Sequence, residues 1–539
     1  MLKRILNSES RSVTGAALLI GATTLLSRLV GIVRDRTFAH FFGAGAVMDA
    51  YYAAFKIPDL IYNLLIVGAL TAGFIPIFTR LFYESDDKSK AWKLASNIIT
   101  IVGISLGGLA LLGMLLTPVL VKIIAPGFSG EELGLVIIFT RIMMLSPLLL
   151  GISMVIGGIL QSLRQFLLYS IAPIFYNLGI IFGVVVLRPW IGLSGLAWGV
   201  VLGAALHLAV QSIGAYHNNF RWRWHLDLAD PDTRLIGKLM TPRTLGLAMS
   251  QFNAIVVTIL ASLLPIGSIT VYNYANNIKD VPTGIIGIAF AIAVFPLLSR
   301  LTAEKNLAQF GARISETARQ IIFLIIPISI CFLLLRAQIV RVVLGTGAFD
   351  WDATIRTADT LAFFSLGLFA QSLIPLFARA FYALNNTKTP FVVGVISELL
   401  TIIGSLVLMG PLGVAGLALA SAAGATVNMI MLGILLRKEA ATIIDQKLLP
   451  MLFKVATAGV VMGSVIQILK YPLAKIFDQR YFWGILSQGA AAGLLGLLVY
   501  GLICWLLRVN EMILFQNSFK KRWLKLWNIG EGIDQAEKL

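Results

Sequence analysis

The sequence predicts an all-α membrane protein with about fourteen transmembrane helices, and three observations lead to this fold class. First, 58% of the 539 residues are apolar and 13% are charged, whereas soluble domains are typically about 45–50% apolar and about 25% charged. Second, apolar stretches long enough for the roughly 20 residues that a bilayer requires recur along the chain. Third, no stretch shows the period-2 alternation of a membrane barrel, which leaves helices as the spanning structure. This composition excludes a soluble enzyme, a disordered chain and a disulfide scaffold.

Each predicted span is an apolar stretch bounded by charged or turn-forming residues. A helix satisfies its own backbone hydrogen bonds, so each stretch can cross the hydrocarbon region as one helix. The fourteen predicted spans cover 14–42, 47–79, 95–121, 135–160, 166–187, 191–215, 236–264, 270–298, 321–344, 357–383, 389–409, 412–436, 449–471 and 482–507.

The positions of the basic residues predict the orientation of these spans. The chain carries 43 Lys and Arg against 26 Asp and Glu, a formal net charge of +17. With the N-terminus in the cytoplasm, 28 basic residues fall in inner segments and six in outer connections. Inner loops of membrane proteins carry the excess of Lys and Arg. We therefore expect both termini to be cytoplasmic and the charge to reflect topology rather than nucleic-acid binding.

Both ends of the chain have features that need a separate interpretation. Lys3 and Arg4 precede an apolar run and resemble a secretory signal, but no small-residue cleavage site follows and Arg28 and Arg34 interrupt the run. We expect a retained first span. Residues 511–539 mix basic and aromatic side chains and predict an amphipathic cytoplasmic tail on the inner leaflet.

An internal repeat divides the chain into two halves of the same orientation. Pro76 and the sequence Arg80-Leu81-x-x-Glu84 recur 220 residues later as Pro296 and Arg300-Leu301-x-x-Glu304. Six spans separate the two copies, so the halves form a parallel repeat. The predicted organisation is an N-terminal six-helix lobe at 1–225, a C-terminal six-helix lobe at 226–440, two additional helices at 441–510 and the tail.

The repeat also pairs small residues and prolines. Gly195-Leu196-Ala197 with Gly199 and Gly203 matches Gly416-Leu417-Ala418 with Ala420 and Gly424, and we interpret these positions as helix packing without chemistry. Four prolines, Pro58 and Pro76 in span two and Pro282 and Pro296 in span eight, predict kinks. Bent helices in equivalent positions of two halves favour a transporter cavity, although kinks that only improve packing are an alternative.

Charged residues inside the spans are the candidate functional residues. The nine basic ones exceed the acidic ones, and a charge at the bilayer centre costs about 2.5–3.5 kcal/mol on insertion scales, so such residues usually face a polar pathway. Helical spacing places Arg28 with Asp35, and Asp49 with Lys56, on shared faces. Salt bridges that only hold spans together are an alternative. In the second half the charges are Lys279 with Asp280, and Arg379. A positive cavity suits an anionic passenger.

The sequence contains no recognisable enzyme motif. The four histidines lack metal-ligand spacing, and neither a phosphate-binding GxxxxGK[ST] loop nor a G-x-S-x-G elbow occurs. We expect no catalytic residue, metal or cofactor. Transport would then be driven by a coupling cation or the membrane potential. Glu398, the single acidic residue of span eleven, is the candidate for binding such a cation.

Several motifs resemble the lipid II flippase family (MurJ, also called MviN). The resemblance covers nearly the whole chain and is most specific near its start. The matching runs are Ser27-Arg28-Leu29-Val30-Gly31-Ile32-Val33-Arg34-Asp35, Phe42-Gly43-Ala44-Gly45, Asp49-Ala50, Phe55-Lys56-Ile57-Pro58, Gly68-Ala69, Phe74-Ile75-Pro76, Pro282-Thr283-Gly284, Phe295-Pro296, Gly347-Ala348-Phe349, Arg379-Ala380-Phe381-Tyr382-Ala383-Leu384 and Thr387-Lys388-Thr389-Pro390.

The resemblance implies the fold of the multidrug/oligosaccharidyl-lipid/polysaccharide exporter superfamily. It also implies alternating-access transport of the undecaprenyl-diphosphate-linked precursor of peptidoglycan, in a monomer of the bacterial cytoplasmic membrane that associates with cell-wall synthesis proteins. By the same resemblance Arg28 and Arg34 line a central cavity beside Asp49 and Lys56, and guanidinium groups suit a diphosphate. The two additional helices would hold the lipid tail.

Two departures from the family pattern leave the identity of the transported lipid open. The places where the family usually has an arginine and a Glu-Gly hold Tyr62-Asn63 and Val67-Gly68, and an Ala-Asp-Arg is replaced by Ala275-Asn276-Asn277. Lys279 would then replace one missing charge. A flippase for another undecaprenyl-diphosphate glycan is the main alternative. A multidrug exporter, which would need an acidic cavity, and a non-transporting scaffold for cell-wall enzymes are the others.

Overall fold

The structure is a computed structural model that describes residues 13–63, 73–84, 87–440, 442, 447–514 and 516, with only the backbone given for 13–18 and 241–250. Within these residues every regular element is helical. The chain divides into two compact units. One contains Met1–Tyr274, Val343–Thr354 and Ser405–Leu417, and the other contains Ala275–Val342, Ile355–Gly404 and Ala418–Leu539. Most of the predicted basic tail lies outside the described residues.

The first unit is built around helices from the N-terminal half of the chain. Helix α8 packs against α1 and α10, and α7 packs against α5 and α10. A core of aromatic and aliphatic side chains, including Phe74 and Phe78, fills the space between α4, α5 and α7. The helices are α1 Val13–Phe42, α2 Ala46–Ala54, α3 Lys56–Tyr62, α4 Ile75–Tyr83, α5 Ser89–Ile124, α6 Gly130–Met143, α7 Leu145–Ser162, α8 Phe166–Phe182, α9 Arg188–Ile191, α10 Ser194–His217 and α11 Pro231–Ser262.

Of the ten remaining helices, five lie within the second unit, and five (α12, α15, α16, α18 and α19) cross the unit boundary. Helix α14 packs against α17 and α20, and α20 packs along α21. The buried Tyr500 hydroxyl donates to the carbonyl of Phe323 over 2.9 Å. The helices are α12 Ser268–Pro282, α13 Ala289–Ala303, α14 Leu307–Leu334, α15 Arg336–Leu344, α16 Trp351–Leu366, α17 Leu368–Ala383, α18 Lys388–Leu412, α19 Val414–Glu439, α20 Leu448–Ile476 and α21 Phe482–Leu506.

The helices confirm the prediction of a polytopic membrane protein. Ten helices among the described residues are long and apolar enough to cross a bilayer, and α16 with α17 makes eleven if this bent pair is one span. Three other predicted spans correspond to α1, to the α2–α4 segment, in which 64–72 lie outside the described residues, and to α11.

Spans four, nine and ten are interrupted although no proline kink is predicted in them. Span four breaks at Met144, three residues before Pro147, which has no N–H to donate within the helix. Span nine breaks at Leu335, where the carbonyl of Leu334 accepts from the Lys470 ammonium over 3.0 Å instead. Span ten bends by 46° at Gly367. These breaks free backbone groups, and proline or a polar side chain accounts for the first two.

The predicted proline kinks take different forms in the structure. A turn at Phe55 separates α2 from α3, and Pro58 in α3 cannot donate to the carbonyl four residues earlier. Pro76 lies in the first turn of α4 rather than within a helix. Pro282 ends α12 and is followed by a π-helical segment at Thr283–Ile288, whereas Pro296 lies inside α13. π-Helical backbone also begins at Asn63, 220 residues before Thr283.

The glycines of the repeat mark close helix contacts, as predicted. A Cβ on Gly179 of α8 would lie 2.4 Å from the Cα of Gly203 on α10, and a Cβ on Gly183 would lie 2.4 Å from the Cα of Gly199. Real Cβ atoms do not approach so closely, so larger residues would push the helices apart. Backbone contact of this kind provides the van der Waals packing that associates helices in lipid.

The same backbone turns recur at the spacing of the sequence repeat. Gly192 and Gly413, 221 residues apart, have φ of +67° and +57°. Each turn is closed by the N–H three residues later, which donates to the glycine carbonyl over 3.0 Å. Arg164 and Asn385, also 221 residues apart, both have φ of 59°. The repeat therefore extends from the sequence to the local backbone.

Left-handed residues follow a rule along the chain. Among the described residues, glycine has positive φ in the turns after spans one, three, five, seven, nine and eleven, and arginine, lysine or asparagine has it in the turns after spans four, six, eight, ten and fourteen. The turn after span thirteen has no residue at positive φ. A non-glycine residue pays about 1–2 kcal/mol for this conformation. The glycines are Gly43, Gly130, Gly192, Gly267, Gly347 and Gly413, and the others are Arg164, Asn219, Lys305, Asn385 and Arg508.

Candidate functional site

Arg34 is the centre of a polar cluster in the first unit. Its Nε and Nη2 atoms donate to one oxygen of Asp35, over 3.0 and 2.8 Å. Its Nη1 atom donates to the side-chain oxygen of Asn177 on α8, over 3.0 Å. The side chain is 23% exposed. A guanidinium has five N–H donors, so this arrangement orients Arg34 and leaves donors for a further acceptor.

Tyrosines surround this guanidinium. Tyr51 and Tyr52 are buried on α2, and Tyr176 precedes Asn177 on α8. Arg34 lies within electrostatic range of all three hydroxyl groups. The Tyr52 hydroxyl is buried and has no hydrogen-bond partner among the described residues. The cluster can therefore donate hydrogen bonds to an anion as well as attract it.

Lys56 lies at the break between α2 and α3, close to the same cluster. Asp59, one turn later, lies within electrostatic range of both the Lys56 ammonium and the Tyr176 hydroxyl. In the part of the chain that the structure describes, Lys56 forms no ion pair within 4.0 Å. Its charge is thus less neutralised than that of Arg34.

Arg28 and Arg36 complete the basic residues of α1. Arg28 is half-buried two turns before Asp35. Arg36 is not a predicted binding residue, and its Nη1 atom donates to the carbonyl of Val343 over 3.4 Å. Arg28 and Asp35 lie seven residues apart in α1, and their predicted sharing of a helix face stays a prediction.

Asp49 is a predicted binding residue, and its carboxylate is hydrogen-bonded within the protein. Its side chain is buried, and its two oxygens accept from the N–H of Gly267 over 2.6 Å and from the N–H of Thr270 over 2.7 Å. The Thr270 hydroxyl donates to the same carboxylate over 2.5 Å. A carboxylate at a helix N-terminus satisfies free N–H groups and complements the helix dipole. This placement favours a structural role for Asp49 at the start of α12.

The turn after α1 forms a second contact with a distant part of the first unit. The carbonyl of His40 accepts from the N–H of Ala348 over 2.9 Å, and the His40 ring contacts the Thr346 hydroxyl at 3.0 Å. A Cβ on Gly43 would lie 2.4 Å from the carbonyl oxygen of Ala348. Two backbone turns therefore meet directly, with no side chain between them.

The second unit contains Lys279 and Arg379 in different environments. Lys279 is buried on α12, and its ammonium lies 3.1 Å from Asp280 and 4.8 Å from the ring centroid of Phe364. Arg379 is half-buried near the end of α17. Among the described residues Arg379 makes no hydrogen bond or ion pair. Arg379 is therefore an unneutralised cation.

Glu398 is a partly buried carboxylate in α18. Its Oε2 atom is buried and has no hydrogen-bond partner among the described residues. A buried carboxylate oxygen without a partner is costly unless it is protonated or binds a cation. The geometry is thus compatible with a coupling cation, and the described residues contain no group of three metal-ligating side chains.

The sequence located the charged residues but missed their partners. Tyr51, Tyr52 and Asn177 were not among the predicted site residues, although each is polar within an apolar helix. That polarity is the one signal that could have identified them. The bonds between Asp49 and Thr270 span 221 residues, and no local pattern encodes such a pairing.

Comparison with known proteins gives a consistent result along the chain. A family model described as "Lipid II flippase MurJ" matches residues 38–487. A Rhizobium tropici protein named "Probable lipid II flippase MurJ" is 27% identical over 517 residues, covering 93% of this chain and 96% of that protein. A Burkholderia cenocepacia protein named "Lipid II flippase MurJ" is 28% identical over 433 residues, covering 79% and 84%.

Solved structures are similar in fold. One described as "Lipid II flippase MurJ, inward closed conformation" aligns with a TM-score of 0.74 and 22% identity, covering 90% of this chain and 99% of that chain. A multidrug resistance MATE family transporter of the MOP superfamily, in an inward-facing conformation, aligns with a TM-score of 0.65 and 14% identity, covering 79% and 98%. These likenesses concern the fold alone.

We predict that Asp49→Asn lowers the thermal stability of the protein. The amide places an NH2 group where two N–H donors now meet a carboxylate, and losing such bonds costs about 1–3 kcal/mol. Thermal aggregation in detergent measures the effect. The control is Asp59→Asn, because that carboxylate accepts no hydrogen bond among the described residues. Equal midpoints for the two variants would contradict the structural role of Asp49.

Proposed function

The chain belongs to the lipid II flippase MurJ family, and we propose that it moves lipid II, the undecaprenyl-diphosphate-linked peptidoglycan precursor, from the inner to the outer leaflet of the bacterial cytoplasmic membrane. The observation that carries this proposal is the family match over residues 38–487, which covers most of both halves. As a family member the chain is a multi-pass membrane transporter in peptidoglycan synthesis and not an enzyme.

The negative charge of the proposed substrate complements the basic side chains inside the spans. A diphosphate offers several charged acceptor oxygens, and bonds from guanidinium or ammonium donors to such oxygens are among the strongest in proteins. Arg34 is oriented by Asp35 and Asn177 and keeps free donors. Lys56 and Arg379 have no ion pair among the described residues. We propose these three, with Arg28 and Lys279, as the residues that bind the diphosphate.

Alternating access is the proposed mechanism. The chain would work as two six-helix lobes, 1–225 and 226–440, with the helices of 441–510 holding the lipid tail. The distorted segments beside Pro58, Pro76, Pro282 and Pro296 would provide the bends, because π-helical and proline-broken backbone has fewer regular hydrogen bonds to resist motion. The turn contacts of Gly43 and Asp49 would separate when the outer side opens.

We propose that both termini are cytoplasmic. In this orientation the turns with arginine, lysine or asparagine at positive φ are all inner, and those with glycine are all outer. The strained non-glycine residues at positive φ then lie on the cytoplasmic side, where the excess of Lys and Arg that sets the topology also lies.

Labelling of single cysteines in intact cells tests this orientation. In a variant lacking Cys331 and Cys504, we expect a membrane-impermeant maleimide to label Arg480→Cys in intact cells. Asn385→Cys should react only after the membrane is permeabilised. The reverse pattern would overturn the orientation and leave the family assignment unchanged.

A flippase for another undecaprenyl-diphosphate glycan is the second candidate. The observation that favours it is the replacement of the family's usual arginines by Tyr62-Asn63 and Asn277. A scaffold that recruits cell-wall enzymes is a third possibility. A scaffold requires no charge inside the spans, so substitution of Lys56 or Arg379 should leave its function intact.

We predict that Lys56→Met and Arg379→Met each lower flipping of lipid II about tenfold or more, since a bond to a charged group contributes about 1.5–3 kcal/mol. The measurement is leaflet-resolved transport in proteoliposomes, with another undecaprenyl-diphosphate glycan in parallel. Growth of cells depleted of their own lipid II flippase provides a second readout.

Arg300→Gln is the matched control, because Arg300 is exposed and, among the described residues, pairs with Glu304 alone. Lys56→Arg should retain most of the activity. Faster transport of the other glycan would favour the second candidate. Rescue of growth by both Met variants without transport would favour the scaffold.

For Glu398 we predict that Glu398→Gln abolishes the dependence of flipping on sodium or pH and lowers the rate. The amide keeps the shape of the side chain but removes the charge that a cation would bind. Transport rates across a series of sodium concentrations and pH values measure the effect. Flipping that does not respond to sodium, pH or this substitution would sink the coupling role.

A further inference from the structure

A segment without regular secondary structure lies between α10 and α11, and it exposes apolar side chains that the proposed transport does not use. Residues 221–228, here called the strap, read Arg-Trp-Arg-Trp-His-Leu-Asp-Leu. Trp222, Trp224, Leu226 and Leu228 are 51%, 68%, 49% and 64% exposed. These four large apolar groups alternate along the sequence with Arg221, Arg223, His225 and Asp227, and together they are called the apolar edge.

The strap is held in place by α5. The side-chain amide of Asn97 accepts from the N–H of Asp227 and donates to its carbonyl, each over 2.7 Å. The Trp222 indole donates to the Thr100 hydroxyl over 3.3 Å. At the far end the Nε atom of Arg234 donates to the carbonyl of Leu228 over 3.2 Å. These bonds fix the direction in which the apolar edge points.

The same bonds set the level of the strap relative to the bilayer. Thr100 lies near the start of the predicted span 95–121, so the indole of Trp222 lies beside the first turns of a transmembrane helix. Tryptophan is enriched at this level, because its ring is apolar and its N–H is polar. The apolar surface continues on α11, where Leu235 and Leu239 are exposed one turn apart.

Basic side chains flank this surface. The Arg223 side chain is exposed and makes no hydrogen bond or ion pair among the described residues, and Lys238 on α11 is also exposed. Asp227 and Asp230, the acidic residues nearest to the strap, use carboxylate oxygens in bonds to the backbone of the Asp227–Thr233 loop. In 221–238 the basic residues Arg221, Arg223, Arg234 and Lys238 outnumber the acidic Asp227, Asp230 and Asp232 by one, so the segment has a net positive charge and complements an anionic lipid surface.

We propose that the strap is an interfacial anchor. Trp224, Leu226 and Leu228 insert at the boundary between headgroups and acyl chains, and Arg223 and Lys238 bind the phosphates of anionic phospholipids in the same leaflet. That leaflet is the inner one in the proposed orientation. The anchor fastens the connection between the two sequence halves to the bilayer in which the protein lies.

The test measures accessibility along the strap in the full-length protein. Single cysteines at 223, 224, 225, 226 and 228, in the variant lacking Cys331 and Cys504, carry nitroxide labels in vesicles of phosphatidylcholine and phosphatidylglycerol. We expect 224, 226 and 228 to collide more with oxygen, which partitions into lipid, than with a water-soluble nickel chelate. Positions 223 and 225 should show the opposite preference. Elution as a single species and an unchanged thermal midpoint verify that each labelled protein is folded.

Two outcomes would overturn the anchor. Uniform access to the nickel chelate at all five positions would mean that the strap lies in water. Immobile labels at 224, 226 and 228 that neither reagent reaches would mean that protein covers the edge. A separate comparison tests the role of the positive charge. The double variant Arg223→Gln and Lys238→Gln, or vesicles without phosphatidylglycerol, should make the label at position 224 more accessible to the nickel chelate. No shift would remove the anionic lipid from the proposal. All these readouts are independent of which lipid the protein flips.

Discussion

The hydrocarbon region of a bilayer offers no hydrogen-bond partners, and this constraint explains most polar contacts of the spans. A polar group there must be satisfied by the chain itself or by what the chain carries. Asp49 shows the first solution, because its carboxylate is fully used by Gly267 and Thr270. Arg34 shows an intermediate solution, because Asp35 and Asn177 use only some of its donors. Lys56 and Arg379 are the proposed examples of the second, because the described residues supply no ion pair to either.

The same constraint separates helix packing from helix motion. Where α8 meets α10, glycines bring two helical backbones into contact. Where the chain bends, at Phe55, Met144, Leu335 and after Pro282, the regular α-helical pattern is lost. Side chains and π-helical turns then compensate, as Lys470 does for the carbonyl of Leu334. Regular helices are therefore suited to move as rigid bodies. The interrupted helices contain the positions where a small change of backbone angle costs the least free energy.

Much of the fold could be predicted from the sequence, because it follows from local composition. Apolar length identified the helices, and the repeat predicted equivalent turns, which the structure has at Gly192 and Gly413. The charged residues of the site could be located for the same reason, since a charge in an apolar run is visible in the sequence. Their partners could not, because the partner of Asp49 lies more than two hundred residues away. The interruption at Leu335 also escaped prediction, since a lysine from another helix, and no proline, accompanies it.

The mixture of paired and unpaired cations suits the proposed transport of an anion. A cation and a phosphate 4 Å apart attract each other by about 4 kcal/mol at an effective dielectric constant of 20. Several unneutralised cations would therefore hold a diphosphate so tightly that release would become slow. In the proposed mechanism Asp35 beside Arg34, and Asp280 beside Lys279, would weaken the attraction while keeping the donors oriented. Lys56 and Arg379, which form no ion pair within 4.0 Å among the described residues, would capture the diphosphate. An acid next to a binding cation is then a condition for release, and its removal would tighten binding while slowing turnover.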